Sequence, residues 1–372
     1  MRIRIPGGLD GFYRSLSENV AHFLLLLSAL SLSACSLSGT DENIVEGIDF
    51  DVLFAPPTAA EMAEVEEDWA ARDVSAGEFG VVHSEEVAVG TWTGTLRVVR
   101  HLVGEAIHFG AIITPQSDPN RLRPVLVYLH GGDQGVSVQD LLLTYELLPE
   151  LRDEFVLVLP SFRSEPLFVG GQSYLSTGTA SPWDRDVDDT LALLNVSLEI
   201  EDLADPERIA AIGFSRGATV ALLMAIRDPR IDGVVEFFGA TDFFGTFVRE
   251  VVRDALRGNL RELPGLSDLN DRFIQPARRK ETDLQALRME LVRRSPVLFA
   301  AQLPAVQVHH GLIDPVVPPS EGESLVEVMQ GLSAPNFEYF FYPNGSHHPL
   351  TMEGSIERAS DFLLRVTNPP PA

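Results

Sequence analysis

A serine between two glycines is the residue in this sequence whose setting best suits chemistry. Ser215 lies in the stretch Gly213-Phe214-Ser215-Arg216-Gly217, which matches the Gly-x-Ser-x-Gly pattern of a sharp strand-to-helix turn. Glycine suits both flanking positions because a Cβ there would clash in so tight a turn. We therefore predict that Ser215 is an exposed nucleophile. The backbone N–H of Arg216, at the N-terminus of the following helix, would stabilise an oxyanion.

A nucleophilic serine needs a base, and the base needs a carboxylate that orients it. After this kind of turn the order along the chain is serine, acid, histidine. Asp314 and His347 each follow a predicted strand and supply these residue types in that order. Asp242 remains an alternative acid, and His348 remains an alternative base because it is adjacent to His347. Such a set would transfer an acyl group through a covalent intermediate on the serine, which water then releases.

A glycine-rich stretch after another predicted strand offers the second oxyanion donor. His130-Gly131-Gly132 directly follows the apolar run 125–129, and we expect a backbone N–H within 131–133 to face the oxyanion. The stretch lacks the lysine and the glycine spacing of a phosphate-binding loop, and the sequence contains no His-x-His or His-Glu-x-x-His motif. No metal and no cofactor are therefore expected. The neighbouring pair His309 and His310 is expected to be structural.

The segments around these residues alternate between strand and helix patterns, which is typical of an α/β protein with a mostly parallel sheet covered on both faces. A charged, helical-looking insertion at about 244–294 precedes the penultimate strand, and it could be either a lid or a surface excursion. Three earlier strands are expected to form an antiparallel edge. The predicted strands are 81–89, 95–103, 106–113, 125–129, 155–159, 209–212, 233–238, 306–309 and 337–341, and the main predicted helices are 138–148, 187–196, 218–226 and 356–366.

The N-terminal 75 residues differ from the rest of the chain. Residues 1–35 combine early arginines, a short apolar run and small residues before Cys35, which is the single cysteine of the chain. This pattern predicts a lipoprotein-type signal peptide with lipidation at Cys35, and hence a cell-envelope protein held at the membrane by a lipid anchor. Residues 36–75 are predicted to be an acidic tether followed by a short helix, which starts with a capping box of Thr58 and Glu61. The folded domain would then span 76–372.

The charge balance argues against one class of partner. The chain has 54 acidic and 28 basic residues, for a formal net charge of −26, and Lys280 is its single lysine. Such a surface repels nucleic acid, so we expect no DNA or RNA partner. The acidic, lysine-poor composition suits either a high-salt habitat or a GC-rich genome.

Residues 124–366 resemble the catalytic domain of the prolyl oligopeptidase family of serine peptidases. The resemblance implies the α/β-hydrolase fold, a triad of Ser215, Asp314 and His347, and hydrolysis of amide bonds in small peptides. It departs from the family in one respect, because only strands at 79–122 precede the core where family members carry a β-propeller. Esterases such as dienelactone hydrolases and carboxylesterases share the triad without a propeller, so an ester substrate stays open. The motifs that carry the resemblance are His130-Gly131-Gly132, Pro160-Ser161-Phe162-Arg163, Gly213-Phe214-Ser215-Arg216-Gly217, the stretch 310–318, and Tyr342-Pro343 leading to His347.

Overall fold

The computed structural model describes residues 43–368, except Ala76 and Leu147. The predicted signal peptide at 1–35, with the lipidation site Cys35, and the first part of the predicted tether lie outside these residues and stay predictions. Among the residues that the structure describes, no helix combines the length and the apolar character needed to cross a bilayer.

Among the described residues, nine strands form the central sheet, and five more form two small sheets. In chain order the strands are β1 (Ile44–Val45), β2 (Ile48–Asp49), β3 (Gly80–Val89), β4 (Trp92–Val103), β5 (Ala106–Pro115), β6 (Arg123–Leu129), β7 (Val136–Ser137), β8 (Val156–Pro160), β9 (Pro166–Val169), β10 (Gln172–Leu175), β11 (Ala204–Phe214), β12 (Ile231–Phe237), β13 (Ala305–Gly311) and β14 (Phe337–Tyr342).

The central sheet has the order β14-β13-β12-β11-β6-β8-β5-β4-β3. The strands from β14 to β8 pair in parallel, whereas β5, β4 and β3 form an antiparallel edge. This matches the predicted mostly parallel sheet with three earlier antiparallel strands. The parallel strands read as continuous apolar runs because both of their faces are buried. In β6, for example, Val125 and Val127 belong to one core cluster, whereas Leu126 belongs to the other.

Helices cover both faces of the sheet. In chain order they are α1 (Phe50–Leu53), α2 (Ala59–Ala70), α3 (Val138–Glu146), α4 (Arg185–Ile200), α5 (Arg216–Arg227), α6 (Thr246–Leu256), α7 (Leu266–Leu269), α8 (Gln275–Arg278), α9 (Leu284–Val292), α10 (Ser320–Gly331) and α11 (Ser355–Thr367). The core on one face is built with α4, α5 and α10, and the core on the other face is built with α3 and α11.

The predicted insertion is helical and lies between β12 and β13, ahead of the penultimate strand of the chain. It contains α6 to α9, with a π-helical turn at Asn270–Ile274 between α7 and α8. Most apolar side chains of α6 recur at helical spacing and are buried, whereas Phe247 is half-buried and Glu250 is exposed. One face of the insertion therefore packs onto the body of the protein.

The described part of the predicted tether is folded, which corrects the sequence-based expectation for residues 43–57. These residues form the β1–β2 hairpin and α1, and Phe50 and Leu53 are fully buried. The polar, proline-containing sequence of residues 43–57 does not predict this structure, because the residues that pack against them lie far along the chain. The predicted capping box of α2 is confirmed, since Thr58 Oγ1 accepts a hydrogen bond from the N–H of Glu61 (3.2 Å) and Glu61 accepts one from the N–H of Thr58 (2.8 Å).

Candidate active site

Ser215 occupies the sharp turn that the sequence predicts. β11 ends at Phe214 and α5 begins at Arg216, and Ser215 between them has φ 53° and ψ −120°, a backbone conformation rare for a residue with a side chain. The two flanking glycines are required by space. A Cβ on Gly213 would lie 2.2 Å from the carbonyl oxygen of Gly217, and one on Gly217 would lie 2.2 Å from that of Leu129. The turn therefore holds Ser215 at the carboxyl end of the sheet, where α/β proteins bind their ligands.

Asp314 and His347 are brought into contact by the loops after two neighbouring parallel strands, β13 and β14. Oδ2 of Asp314 lies 2.7 Å from Nδ1 of His347. Oδ1 of Asp314 accepts hydrogen bonds from the N–H groups of Val316 (2.8 Å) and Val317 (3.0 Å), which fix the carboxylate. The ring of His347 also packs against Phe238, with centroids 4.3 Å apart. With Nδ1 engaged by the carboxylate, Nε2 of His347 is the nitrogen left to accept a proton.

The two alternative residues have other partners. Nδ1 of His348 accepts a hydrogen bond from the N–H of Leu350 (3.2 Å), within a short 3₁₀ turn. Asp242 accepts one from the N–H of Phe244 (2.9 Å), and burial raises the pKa of its carboxyl. Each residue is thus engaged by its own loop, whereas Asp314 and His347 face each other.

The other two histidines of the predicted site region are buried. Nδ1 of His309 lies 2.8 Å from the hydroxyl of Tyr342, its Nε2 lies 2.8 Å from Oε1 of Gln307, and burial lowers its pKa to about 3. Nε2 of His310 lies 3.0 Å from the carbonyl oxygen of Val317, and burial lowers its pKa as well. Both rings are therefore neutral around pH 7 and pack within the protein.

The predicted oxyanion stretch lies directly against the turn. A Cβ on Gly131 would lie 3.0 Å from the carbonyl oxygen of Phe214 and 3.1 Å from Cβ of Ser215. Gly132 has φ +78°, a conformation that favours glycine. This close approach brings the backbone of 131–132 beside the N-terminus of α5, where the N–H of Arg216 lies. The geometry suits a pair of N–H donors around an oxyanion on Ser215.

Two cavities meet at Ser215. The smaller, which we call the apolar cavity, has a volume of about 60 Å³ and lies beneath the helical insertion. The larger, which we call the wide cavity, has a volume of about 610 Å³ and is lined by Gly131, Gly132, His347 and His348 among others. A substrate bound with its carbonyl at Ser215 could therefore extend to both sides of this residue.

Comparisons with known proteins report on the fold. No protein-family model matches the chain, and no curated protein matches its sequence. Among solved structures, acetyl xylan esterase 1 from Thermoanaerobacterium is similar with a TM-score of 0.58 at 18% identity, over 86% of this chain and 99% of that one. An esterase from Pyrococcus furiosus is similar with a TM-score of 0.51 at 18% identity, over 78% of this chain and 100% of that one.

The chain has the α/β-hydrolase fold. The strand order, the parallel core and these structural similarities agree, so the fold implied by the motif resemblance is confirmed. An acylaminoacyl peptidase from Pyrococcus horikoshii also matches 78% of this chain, with a TM-score of 0.48 at 14% identity, but this chain spans only 49% of that protein. In residues 43–368, apart from the two positions not described, the strands belong to the three sheets given above, and none of these sheets is a propeller blade.

The α/β-hydrolase fold of this chain contains a buried charge network that the sequence did not reveal. The guanidinium of Arg216 binds the carboxylate of Asp186 through Nε (2.8 Å) and Nη2 (2.9 Å). Its Nη1 binds Glu165 (2.5 Å) and donates to the carbonyl oxygen of Gly132 (3.2 Å). The acidic run 184–189 is a possible sequence signal for a buried charge network, but it does not predict which carboxylate contacts Arg216. Arg216 thus contributes its side chain as well as its backbone N–H to the surroundings of the predicted oxyanion stretch.

Proposed function

We propose that this protein is a serine hydrolase that cleaves carboxylic esters, with Ser215, His347 and Asp314 as its catalytic residues. The observation that carries this proposal is the 2.7 Å contact between Asp314 and His347. It occurs in a site where His347 and Ser215 line the same cavity. Neither residue type alone would indicate catalysis. A histidine oriented by a carboxylate and a half-buried serine in a strained turn, both lining one cavity, form an arrangement that can activate a hydroxyl.

The proposed reaction has two steps. Nε2 of His347 accepts the proton of the Ser215 hydroxyl as Oγ bonds to the ester carbonyl carbon, and the imidazolium then protonates the departing alcohol. Water next attacks the acyl carbon and gives one proton to His347. The bond between the acyl carbon and Oγ of Ser215 then breaks, the imidazolium returns the proton to Oγ, and the carboxylic acid is released. Asp314 keeps the imidazole oriented and stabilises its charged form. The N–H of Arg216 and an N–H of the 131–132 stretch stabilise the oxyanion that forms in each step.

The lining of the two cavities favours an ester over a peptide. The described residues that line them include no aspartate or glutamate, so a peptide amino terminus would find no carboxylate beside the serine. The two solved structures that match with TM-scores of 0.58 and 0.51, over 99% and 100% of their own chains, are esterases. A serine peptidase is the second candidate, because the wide cavity has room for an amino-acid leaving group.

The experiment that tests the proposal is covalent labelling of the purified protein with a fluorophosphonate probe. The wild type is expected to be labelled, and Ser215→Ala is expected to lose both labelling and turnover of p-nitrophenyl esters. Aminoacyl p-nitroanilides of matched size distinguish the two candidates, since esterase function predicts ester turnover with little amide turnover. An unlabelled but folded wild type would overturn the nucleophile, and preferential anilide turnover would favour the peptidase.

A further inference from the structure

The apolar cavity has the position and the lining of a binding site for one half of the substrate. Ser215 is one of its lining residues, and nearly all the surface that lines it is apolar. One wall is built by the insertion, with side chains from α6 and α7. The lining residues that matter most here are Phe243, Phe247, Val248, Val251, Leu266 and Leu269.

The sequence of α6 produces this wall. Phe247 and Val248 lie four and three residues before Val251, so the three share one side of the helix. Val248 and Val251 are buried. The opposite face of the helix carries Glu250, whose side chain is exposed, and Arg253. An amphipathic helix in this position presents apolar groups to the cavity and charges to solvent.

The charge of the cavity limits what it can hold. Among the described residues that line it, Arg216 is the only one with a charged side chain. The guanidinium of Arg216 is already bound to the carboxylates of Asp186 and Glu165. A charged group on the substrate would therefore lose its hydration without gaining a counter-charge, which is costly in an apolar site.

The volume of the cavity limits the length of the group. An apolar cavity of about 150 Å³ holds benzene, which has six carbon atoms, so a cavity of about 60 Å³ holds about two or three carbon atoms. The carbonyl carbon stays at Ser215, so an acyl group of about three to four carbons fills this space. An acetyl group would leave part of the cavity empty, and a chain much longer than about four carbons would not fit.

We propose that the apolar cavity binds the acyl part of the substrate and makes the enzyme selective for uncharged acyl groups of about three to four carbons. The leaving alcohol then occupies the wide cavity on the other side of Ser215. This inference rests on the proposed function, because it assumes that Ser215 attacks an ester carbonyl.

The test uses p-nitrophenyl esters from acetate to dodecanoate with the full chain. Each methylene buried in the cavity is expected to raise kcat/KM about fourfold, so butyrate should exceed acetate by about 15-fold. The profile should peak at about three to four carbons and fall beyond. The mono-p-nitrophenyl ester of succinic acid, with four carbons and a terminal carboxylate, should be cleaved at least about 100-fold more slowly than the butyrate ester.

Variants of cavity-lining residues test whether the dependence of kcat/KM on acyl length is set by the apolar cavity. Val251→Phe fills the cavity and should move the optimum to acetate, whereas Phe247→Ala enlarges it and should move the optimum to longer chains. Glu250→Phe places the same new side chain as Val251→Phe on the exposed face of the same helix, and it should leave the profile unchanged. Phe247→Ala adds no bulk, so it remains informative if Val251→Phe does not fold.

The test distinguishes failure of the proposed hydrolase function from failure of the inference about the apolar cavity. If the folded wild type shows no labelling by fluorophosphonate, the proposed function fails. If Ser215 is labelled but the profile is flat, peaks at acetate or accepts the succinate ester as readily as butyrate, the inference about the apolar cavity is overturned while the hydrolase function stands. An optimum that stays in place in both cavity variants would also overturn the inference.

Discussion

The guanidinium of Arg216 lies at the centre of a buried charge network, and replacing this residue by methionine tests what that network does. The side chain makes two hydrogen bonds to Asp186 and one to Glu165, and one to the carbonyl of Gly132. Burial alone would lower the pKa of Arg216, but the two carboxylates raise it above its ordinary value, so the guanidinium is charged at any working pH. Methionine keeps much of the volume and removes the charge and every donor.

The structure sets the expected magnitude of two effects. Asp186 is fully buried and Glu165 nearly so, so Arg216→Met leaves carboxylates without their counter-charge. Removing one partner from a buried ion pair costs about 3–5 kcal/mol of unfolding free energy, or roughly 4–7 °C in Tm for a chain of this size. The carbonyl of Gly132 also loses its donor. A shift of the oxyanion stretch is expected to lower kcat by about 10- to 100-fold, at most the effect of losing one oxyanion donor.

Thermal unfolding followed by circular dichroism and ester kinetics measure the two effects separately. Arg208→Met is the matched control, because Arg208 makes a partly exposed pair with Asp205 (2.7 Å) and should change the unfolding free energy by no more than about 1 kcal/mol. Adding Asp186→Asn to Arg216→Met should restore part of the stability by removing one unpaired carboxylate. The reasoning is refuted if Arg216→Met unfolds like the control, or if its kcat equals that of the wild type.

Two further predictions concern carboxyl groups. Asp314→Asn should lower kcat for ester hydrolysis by about 10⁴-fold because His347 loses its orientation. The kcat of Asp242→Asn should stay within a few-fold of the wild-type value. Equal losses of kcat in both variants would contradict the assignment of Asp314 as the acid. Burial raises the pKa of Glu321 to about 8, so this carboxyl is protonated in the folded protein and ionised in the unfolded chain between about pH 4.5 and 8. Stability is therefore lost as pH rises through this window, at about 1.4 kcal/mol per pH unit. Between pH 6.5 and 8 the wild type should lose about 2 kcal/mol relative to Glu321→Gln in denaturant unfolding, and parallel curves for the two proteins would show that Glu321 does not carry this effect.

The parts of the site that the sequence predicts share a physical cause. The apolar runs of β6, β11, β12 and β13 can be identified because parallel strands are buried on both faces. In such a sheet the loops after the strands meet at one edge. Asp314 and His347 follow neighbouring strands, so their contact follows from strand identity and chain order alone. The glycines around Ser215 add a local signal, since the turn needs them for space.

The parts that the sequence does not predict depend on contacts between distant residues. The sequence offers several acidic residues as partners for Arg216. The packing of α4 against α5 determines that Asp186 is the residue that binds it. The apolar cavity is likewise invisible in the sequence, because an apolar face on α6 looks the same whether it fills a core or lines a space. The choice between His347 and His348 depends on the geometry of the loop after β14. The sequence pattern does not distinguish them, because both residues are histidines that follow the same strand.

The folded N-terminal segment contacts the helical insertion, which forms one wall of the apolar cavity. Nη1 of Arg288 on α9 donates to the carbonyl oxygens of Leu53 (2.8 Å) and Ala55 (2.7 Å), and its Nε binds Glu61 (2.5 Å). The hydrogen bond from Arg288 is the largest cause that lowers the pKa of Glu61 to about 2, so this carboxylate is ionised and paired around neutral pH.

The same segment reaches the outer side of α6, where Arg253 lies over the ring of Phe50 (5.1 Å). The inner side of α6 is the wall of the apolar cavity. The insertion is therefore held between the body of the protein on one side and residues 50–61 on the other, which argues for a wall fixed by packing rather than a lid that swings freely. A cavity with a fixed wall can select acyl groups by length, because a space that does not adjust to its ligand penalises both an unfilled volume and an overlong chain.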